Sequence, residues 1–125
     1  MIKVQTDKAP KAIGPYSQAM ITGNLVYTSG QIPLDPVSGD ICGQTIEEQT
    51  HRVCKNLAAV LEEAGSCLES VVKTTCFLQD MADFPAFNAI YATYFTSCPA
   101  RACVAVKTLP KNVLVEIEAI AERKD

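Results

Sequence analysis

The stretch that most constrains this chain is Pro99–Glu122, PARACVAVKTLPKNVLVEIEAIAE, because it alternates with a period of two and sets charge where a core belongs. In its first run Arg101, Cys103 and Ala105 share one face, while Ala102, Val104 and Val106 share the other. In its second run Val113, Val115, Ile117 and Ala119 form an apolar row, and Leu114, Glu116, Glu118 and Ile120 lie opposite. The pattern predicts two strands joined by a short proline-containing loop. A carboxylate taken out of water needs a partner, and Arg101 on the neighbouring run is the candidate cation. Two readings stay open here. One is a half-exposed edge strand kept soluble by its charges; the other is a strand whose polar face meets another subunit.

The rest of the chain supplies the frame, which reads as one domain spanning residues 1–125. Lys3–Thr6 reads as a short edge strand, and APKAIGP, with two prolines and a glycine, as a loop. Tyr16–Thr22 and Leu25–Thr28 are β-rich and flank the turn dipeptide Gly23-Asn24, which predicts a hairpin. An irregular loop through Ser29, Gly30, Pro33, Pro36 and Gly39 follows. Thr45 and Glu48 form a capping box; Ile46, Val53, Leu57, Val60, Leu61 and Ala64 then repeat at helical spacing up to Gly65. Val71–Leu78 is β-branched and reads as a central strand. Asp83 is the expected N-cap of a second helix whose apolar face is Phe84, Phe87, Ile90, Tyr91, Tyr94 and Phe95, with Asn88 one residue off that stripe. Strands interleaved with two helices predict an α+β sandwich with both helices on one sheet face, leaving the other face as a natural oligomer surface.

Composition narrows function. The net charge is −3 and the eleven basic residues are scattered, so no nucleic-acid footprint is visible. No run is long enough for a membrane span, and the N-terminus carries no signal- or transit-peptide pattern, so the cytoplasm is the expected location. Six cysteines occur at positions 42, 54, 67, 76, 98 and 103 without a CxxC pair, beside a single histidine, His51. They read as reduced thiols packed as small apolar residues, and no metal site is expected. What remains is Arg101, Glu116, Glu118, Cys103 and a few loop hydroxyls. A planar guanidinium matches a carboxylate bidentately, and a shielded carboxylate with a raised pKa can act as a base on water. That pair would suit hydrolysis of a small anionic substrate. A plain Arg–Glu bridge locking the two C-terminal strands into a hairpin is the structural alternative.

Six blocks, AIGPYSQ from Ala12, TSGQIP from Thr28, VKTT from Val72, Asp83-Phe84 with Asn88, PARACV from Pro99 and VEIEAIA from Val115, together resemble the Rid family of imine/enamine deaminases, also called the L-PSP endoribonuclease family. The resemblance runs over nearly the whole chain in the family's order. It implies a chorismate-mutase-like α+β fold, a mixed sheet with two helices on one face, and a homotrimer with a central β-barrel and intersubunit clefts. It further implies cofactor-free hydrolysis of 2-iminopropanoate and 2-iminobutanoate to 2-oxo acids and ammonia. On this resemblance Arg101 binds the substrate carboxylate and Glu116 handles the attacking water. Gly30 and Cys103 offer backbone groups near the imine, and Tyr16, Ser29, Phe84 and Asn88 line or shape the cleft. Small 2-imino and 2-oxo acids are the expected ligands, with neither membrane nor nucleic acid as a partner. Two other classes accompany the resemblance: an endoribonuclease or translation inhibitor, and a non-catalytic small-acid-binding or chaperone-type module.

Overall fold

Thr45 begins the longest helix in the way its sequence dictates. In the computed structural model, which describes residues 1–124, its hydroxyl accepts from the Glu48 amide while the Glu48 carboxylate accepts from the Thr45 amide. Helix α1 then runs over Ile46–Glu63, and Gly65 closes it with φ +80°, a left-handed conformation that suits a residue without a Cβ. Its stripe, Ile46, Val53, Leu57, Val60 and Leu61, is buried throughout. Asp83 occupies the N-cap position of helix α2, Phe84–Tyr94, but makes no side-chain cap bond. Asp80 caps the single 3-10 turn before it, accepting from the Ala82 amide.

Six strands form one mixed sheet: β1 (Ile2–Val4), β2 (Ala19–Thr22), β3 (Leu25–Thr28), β4 (Val71–Leu78), β5 (Ala100–Ala105) and β6 (Val115–Glu122), in the order β1-β2-β3-β6-β4-β5. The β2–β3 hairpin turns at Gly23, φ +58°, the position where a two-residue hairpin favours glycine. Its first strand begins at Ala19 rather than Tyr16, because residues before it are drawn into a loop held by the buried Gln18 side chain, which accepts from the Thr6 amide and donates to the Pro10 carbonyl. The first strand likewise covers Ile2–Val4, ending before Thr6. Val115, Ile117, Ala119 and Ala121 join the core with α1, α2, Val71, Cys76 and Leu78. The opposite sheet face carries no helix and presents exposed Tyr27 and Val104 around half-buried Phe77, Glu116, Glu118 and Ile120.

The C-terminal hairpin expected from sequence does not form. β5 pairs parallel with β4, and β6 pairs antiparallel with β4 on its other side, so β4 stands between them. A parallel pair needs a crossover, and α2 supplies it between β4 and β5. Burial explains the placement: β6 has one wholly apolar row and fits the interior of the sheet, whereas β5, small and mostly exposed, fits an edge. The edge-strand reading therefore belongs to β5 and not to β6.

Candidate active site

Arg101 pairs in register with Thr74, whose hydroxyl bonds the Tyr91 hydroxyl at 2.7 Å, so both strand positions face α2. The Arg101 guanidinium lies 4.8 Å from the Tyr91 ring centroid and 5.3 Å from that of Phe84, and its Nη1 donates to Asn88 Oδ1 at 2.6 Å. Phe84, Asn88 and Tyr91 reach it together because positions four and seven residues apart share one helical face. Arg101 is exposed, yet two rings and an amide fix its plane. All three neighbours are uncharged, so its positive charge is left open to an anion.

Cys103 lies on the same face, opposite Cys76 across the strand pair and packed against the core. Burial pushes the Cys103 thiol upward despite the nearby Arg101 charge, and burial pushes Cys76 up to about 12. Both favour the neutral thiol, a poor nucleophile. Cys54 and Cys76 are fully buried as small apolar groups; Cys42, Cys67 and Cys103 are half-buried, and Cys98 is exposed.

Glu116 belongs to the other face. Its register partners are Phe77 on β4 and, through it, Val104 on β5. From β6 to β5 is two strand spacings, roughly 10 Å, and the two charged side chains point to opposite sides of the sheet. The structural alternative left open by the sequence, a plain Arg101–Glu116 bridge within the chain, is therefore excluded by register. Burial, and then the charge of Glu118 two residues on, raise the Glu116 carboxyl above its ordinary range.

Gly30 is placed against that carboxyl by a short continuation of the ladder. Gln31 and Ile117 exchange backbone hydrogen bonds at 2.8 and 3.2 Å, and the Thr28 hydroxyl accepts from the Ala119 amide in the gap between. A Cβ at Gly30 would sit 2.8 Å from Glu116 Cδ and closer still to Oε2, so the close approach requires glycine. The Ser29 hydroxyl donates to the Ser17 carbonyl, tying this loop to the segment that carries exposed Tyr16.

The predicted residues thus fall into two groups. Phe84, Asn88, Arg101 and Cys103 gather at the α2–β5 edge; Ser29, Gly30 and Glu116 gather at the β3–β6 side, while exposed Tyr16, next in the chain to the Ser17 anchor, lies beside Lys3, Lys11 and Ala12. Sequence reasoning treated Tyr91 as core only and missed that its ring carries the guanidinium; the Phe84/Asn88/Tyr91 spacing was the available signal. His51 is on the outer surface of α1, its Nδ1 2.8 Å from the Tyr94 hydroxyl. Among the described residues no three His, Cys, Asp or Glu side chains converge to hold a metal ion, and no helix is long and apolar enough to cross a membrane.

The sequence profile described as Endoribonuclease L-PSP matches residues 6–123. The chain is 55% identical over 122 residues to the proposed regulator AldR of Lactococcus lactis, covering 97% of each. It is 48% identical over 119 residues to the chloroplastic Reactive Intermediate Deaminase A of Arabidopsis thaliana, covering 94% of this chain and 64% of that protein. Among solved structures, that of E. coli TdcF with bound serine aligns at a TM-score of 0.94 and 39% identity, covering 99% of this chain and 100% of the other.

Proposed function

This chain belongs to the Endoribonuclease L-PSP family, which takes in the Rid proteins and a reactive intermediate deaminase, and on that premise we propose that it is a cofactor-free deaminase of small 2-imino acids such as 2-iminopropanoate and 2-iminobutanoate. The observation that carries the reading is Arg101: a guanidinium immobilised by rings and an amide without being neutralised, as a carboxylate clamp requires. A relative that binds serine, a small amino acid, agrees with a ligand of that size.

The two groups of residues meet, on this proposal, in a homotrimer with a central β-barrel. The helix-free faces pack together, and Glu116 of one copy opens into a cleft edged by Arg101 of the next. Asn88, Phe84 and the Tyr91 ring keep the guanidinium flat against the substrate carboxylate. Gly30 and Cys103 present backbone groups at the imine, and Tyr16 and Ser29 close the cleft. The ionised Glu116 takes a proton from water as the oxygen bonds to the iminium carbon, and the C=N π electrons pass to nitrogen. Protonated Glu116 then gives that proton to nitrogen. As the C–N bond breaks, the hydroxyl proton leaves to the carboxylate, which passes it to the departing ammonia, so the 2-oxo acid and ammonium separate and Glu116 is again ionised. Because an iminium carbon is already electrophilic, orientation and charge placement suffice for the catalysis.

The test is a coupled assay in which 2-iminopropanoate is generated in place and its lifetime followed. The expected result is disappearance well above the buffer rate; a wild-type protein no faster than buffer rejects the reading. Cleavage of RNA that survives repurification and vanishes in Arg101→Ala would replace it with the ribonuclease function.

A further inference from the structure

Asn56 is fully buried inside helix α1, although asparagine is a poor helix former and its amide is costly to take out of water. Its Nδ2 donates to the Ile32 carbonyl at 3.2 Å and to the Leu34 carbonyl at 3.0 Å. Both partners are acceptors, so the NH2 group must face them, and Oδ1, also buried, accepts no hydrogen bond among the described residues. Three consecutive residues carry this grip forward. Ile32 is fixed to Asn56, Gln31 exchanges backbone bonds with Ile117, and Gly30 lies against the Glu116 carboxyl. We propose, resting on the deaminase reading above, that Asn56 is a positioning residue for the reaction: through the Ile32 and Leu34 carbonyls it keeps Gly30 seated on Glu116.

The loop it holds is closed on itself and moves as one piece. The Cys42 amide donates to the Pro33 carbonyl and the Asp35 amide to the Asp40 carbonyl, both at 2.8 Å. Gln49, on the same face of α1 two turns before Asn56, donates to the Gly43 carbonyl at the loop's far end. Packing alone would be served by leucine, which has the same branched outline, a higher helix propensity and no polar atom to leave unpaired. What asparagine adds is a pair of donors for two loop carbonyls. Without them the loop is free to rise from β6, and water reaches the carboxyl. Around Glu116 stand Gly30 from the loop, Phe77 from β4, Glu118 along β6 and, further off, Lys73 of β4 opposite Ile120, with Arg101 of the next copy in the trimer. Of these only Gly30 depends on Asn56, so a change in the carboxyl's titration reports the loop.

The experiment compares the wild type, Asn56→Ala and, as a control for lost core packing, Val60→Ala, one turn along the same helix and equally buried. The Glu116 carboxyl is titrated by carbon NMR, and kcat and KM are measured for 2-iminopropanoate. In Asn56→Ala the titration midpoint is expected to fall toward 4.5, because burial is the first cause of its elevation. There kcat should drop about tenfold to a hundredfold with KM nearly unchanged, since Arg101 is untouched. In Val60→Ala both readings stay at wild-type values even though the melting temperature falls. A midpoint and kcat in Asn56→Ala that match the wild type, or that Val60→Ala reproduces, overturn the proposal. Should Asn56→Ala not fold, Asn56→Ser, which keeps one donor, is read in the same way. Hydrogen exchange in the wild type needs no variant: the Gln31 amide should exchange as slowly as those of Leu57 and Val60, and exchange as fast as that of exposed Ser38 overturns the proposal as well. If no protein, wild type included, turns over the imine, the deaminase reading falls, and the carboxyl titration still decides whether Asn56 seats Gly30 on Glu116.

Discussion

The α2–β5 edge and the β3–β6 side of the sheet each hold one charged side chain, and they hold it by opposite means. Arg101 is exposed and kept in place by Phe84, Tyr91 and Asn88, contacts that restrict its motion without touching its charge. Glu116 is half-buried, pressed against Gly30, and its charge is what the surroundings oppose. One region prepares a fixed cation and the other a reluctant anion. Since β4 separates them and they face opposite sides of the sheet, a single copy keeps them apart, and chemistry that needs both requires a second copy.

Arg101→Ala should break the comparison most severely. The clamp is lost, and deamination in the coupled assay is expected to fall by about a thousandfold or more, in line with an interaction held in the transition state. The melting temperature should change little, because the residue is exposed.

Glu116→Gln acts on the other side. Turnover is expected to drop by about 10²–10⁴, while binding of a 2-oxo acid followed by calorimetry stays near wild type. In the wild type the acid limb of kcat/KM should lie above the ordinary glutamate value of 4.5, because the base must be ionised and its folded pKa is raised. The folded protein holds this proton more tightly than the unfolded chain does. Glu116 therefore contributes its stability in full below 4.5 and loses it as pH rises through the raised value. Glu116→Gln should flatten the denaturation profile across that window. Equal loss of binding and turnover would point to a structural role instead.

Mixing sharpens the comparison. The Arg101→Ala and Glu116→Gln proteins, unfolded and refolded together, should recover about a quarter of wild-type activity, since a randomly mixed ring pairs an intact arginine with a neighbour's intact glutamate at that frequency. Recovery at the background level would place the chemistry within one chain or nowhere. The smallest effect belongs to Cys103→Ala: with a neutral thiol packed on the core side, the rate should stay within about threefold, the range of a side chain outside the chemistry.

Much of this is legible in the amino-acid order. The capping box at Thr45 and Glu48, the α1 stripe, the whole of β4 and the alternation of β6 are local properties, set by hydrogen bonds within four residues or by a period of two, and they appear as read. The partner of β5 was not legible. Alternation tells which side chains share a face but says nothing about which strand lies alongside, and the short connection between the two C-terminal runs suggested a hairpin. The same gap hid Tyr91, whose ring belongs to the core by periodicity and to Arg101 only by packing.

What the amino-acid order determined by itself is the set of elements, the apolar face of each, and the presence of an arginine and a glutamate within the stretch that matches one family. What only the tertiary structure decided is their arrangement: β4 inserted between β5 and β6, Gly30 brought against Glu116 by the Gln31–Ile117 bridge, and the two charges turned to opposite faces. The reason is physical. Strand order depends on which faces must be buried together across the whole sheet, a long-range balance that no window of neighbouring residues contains.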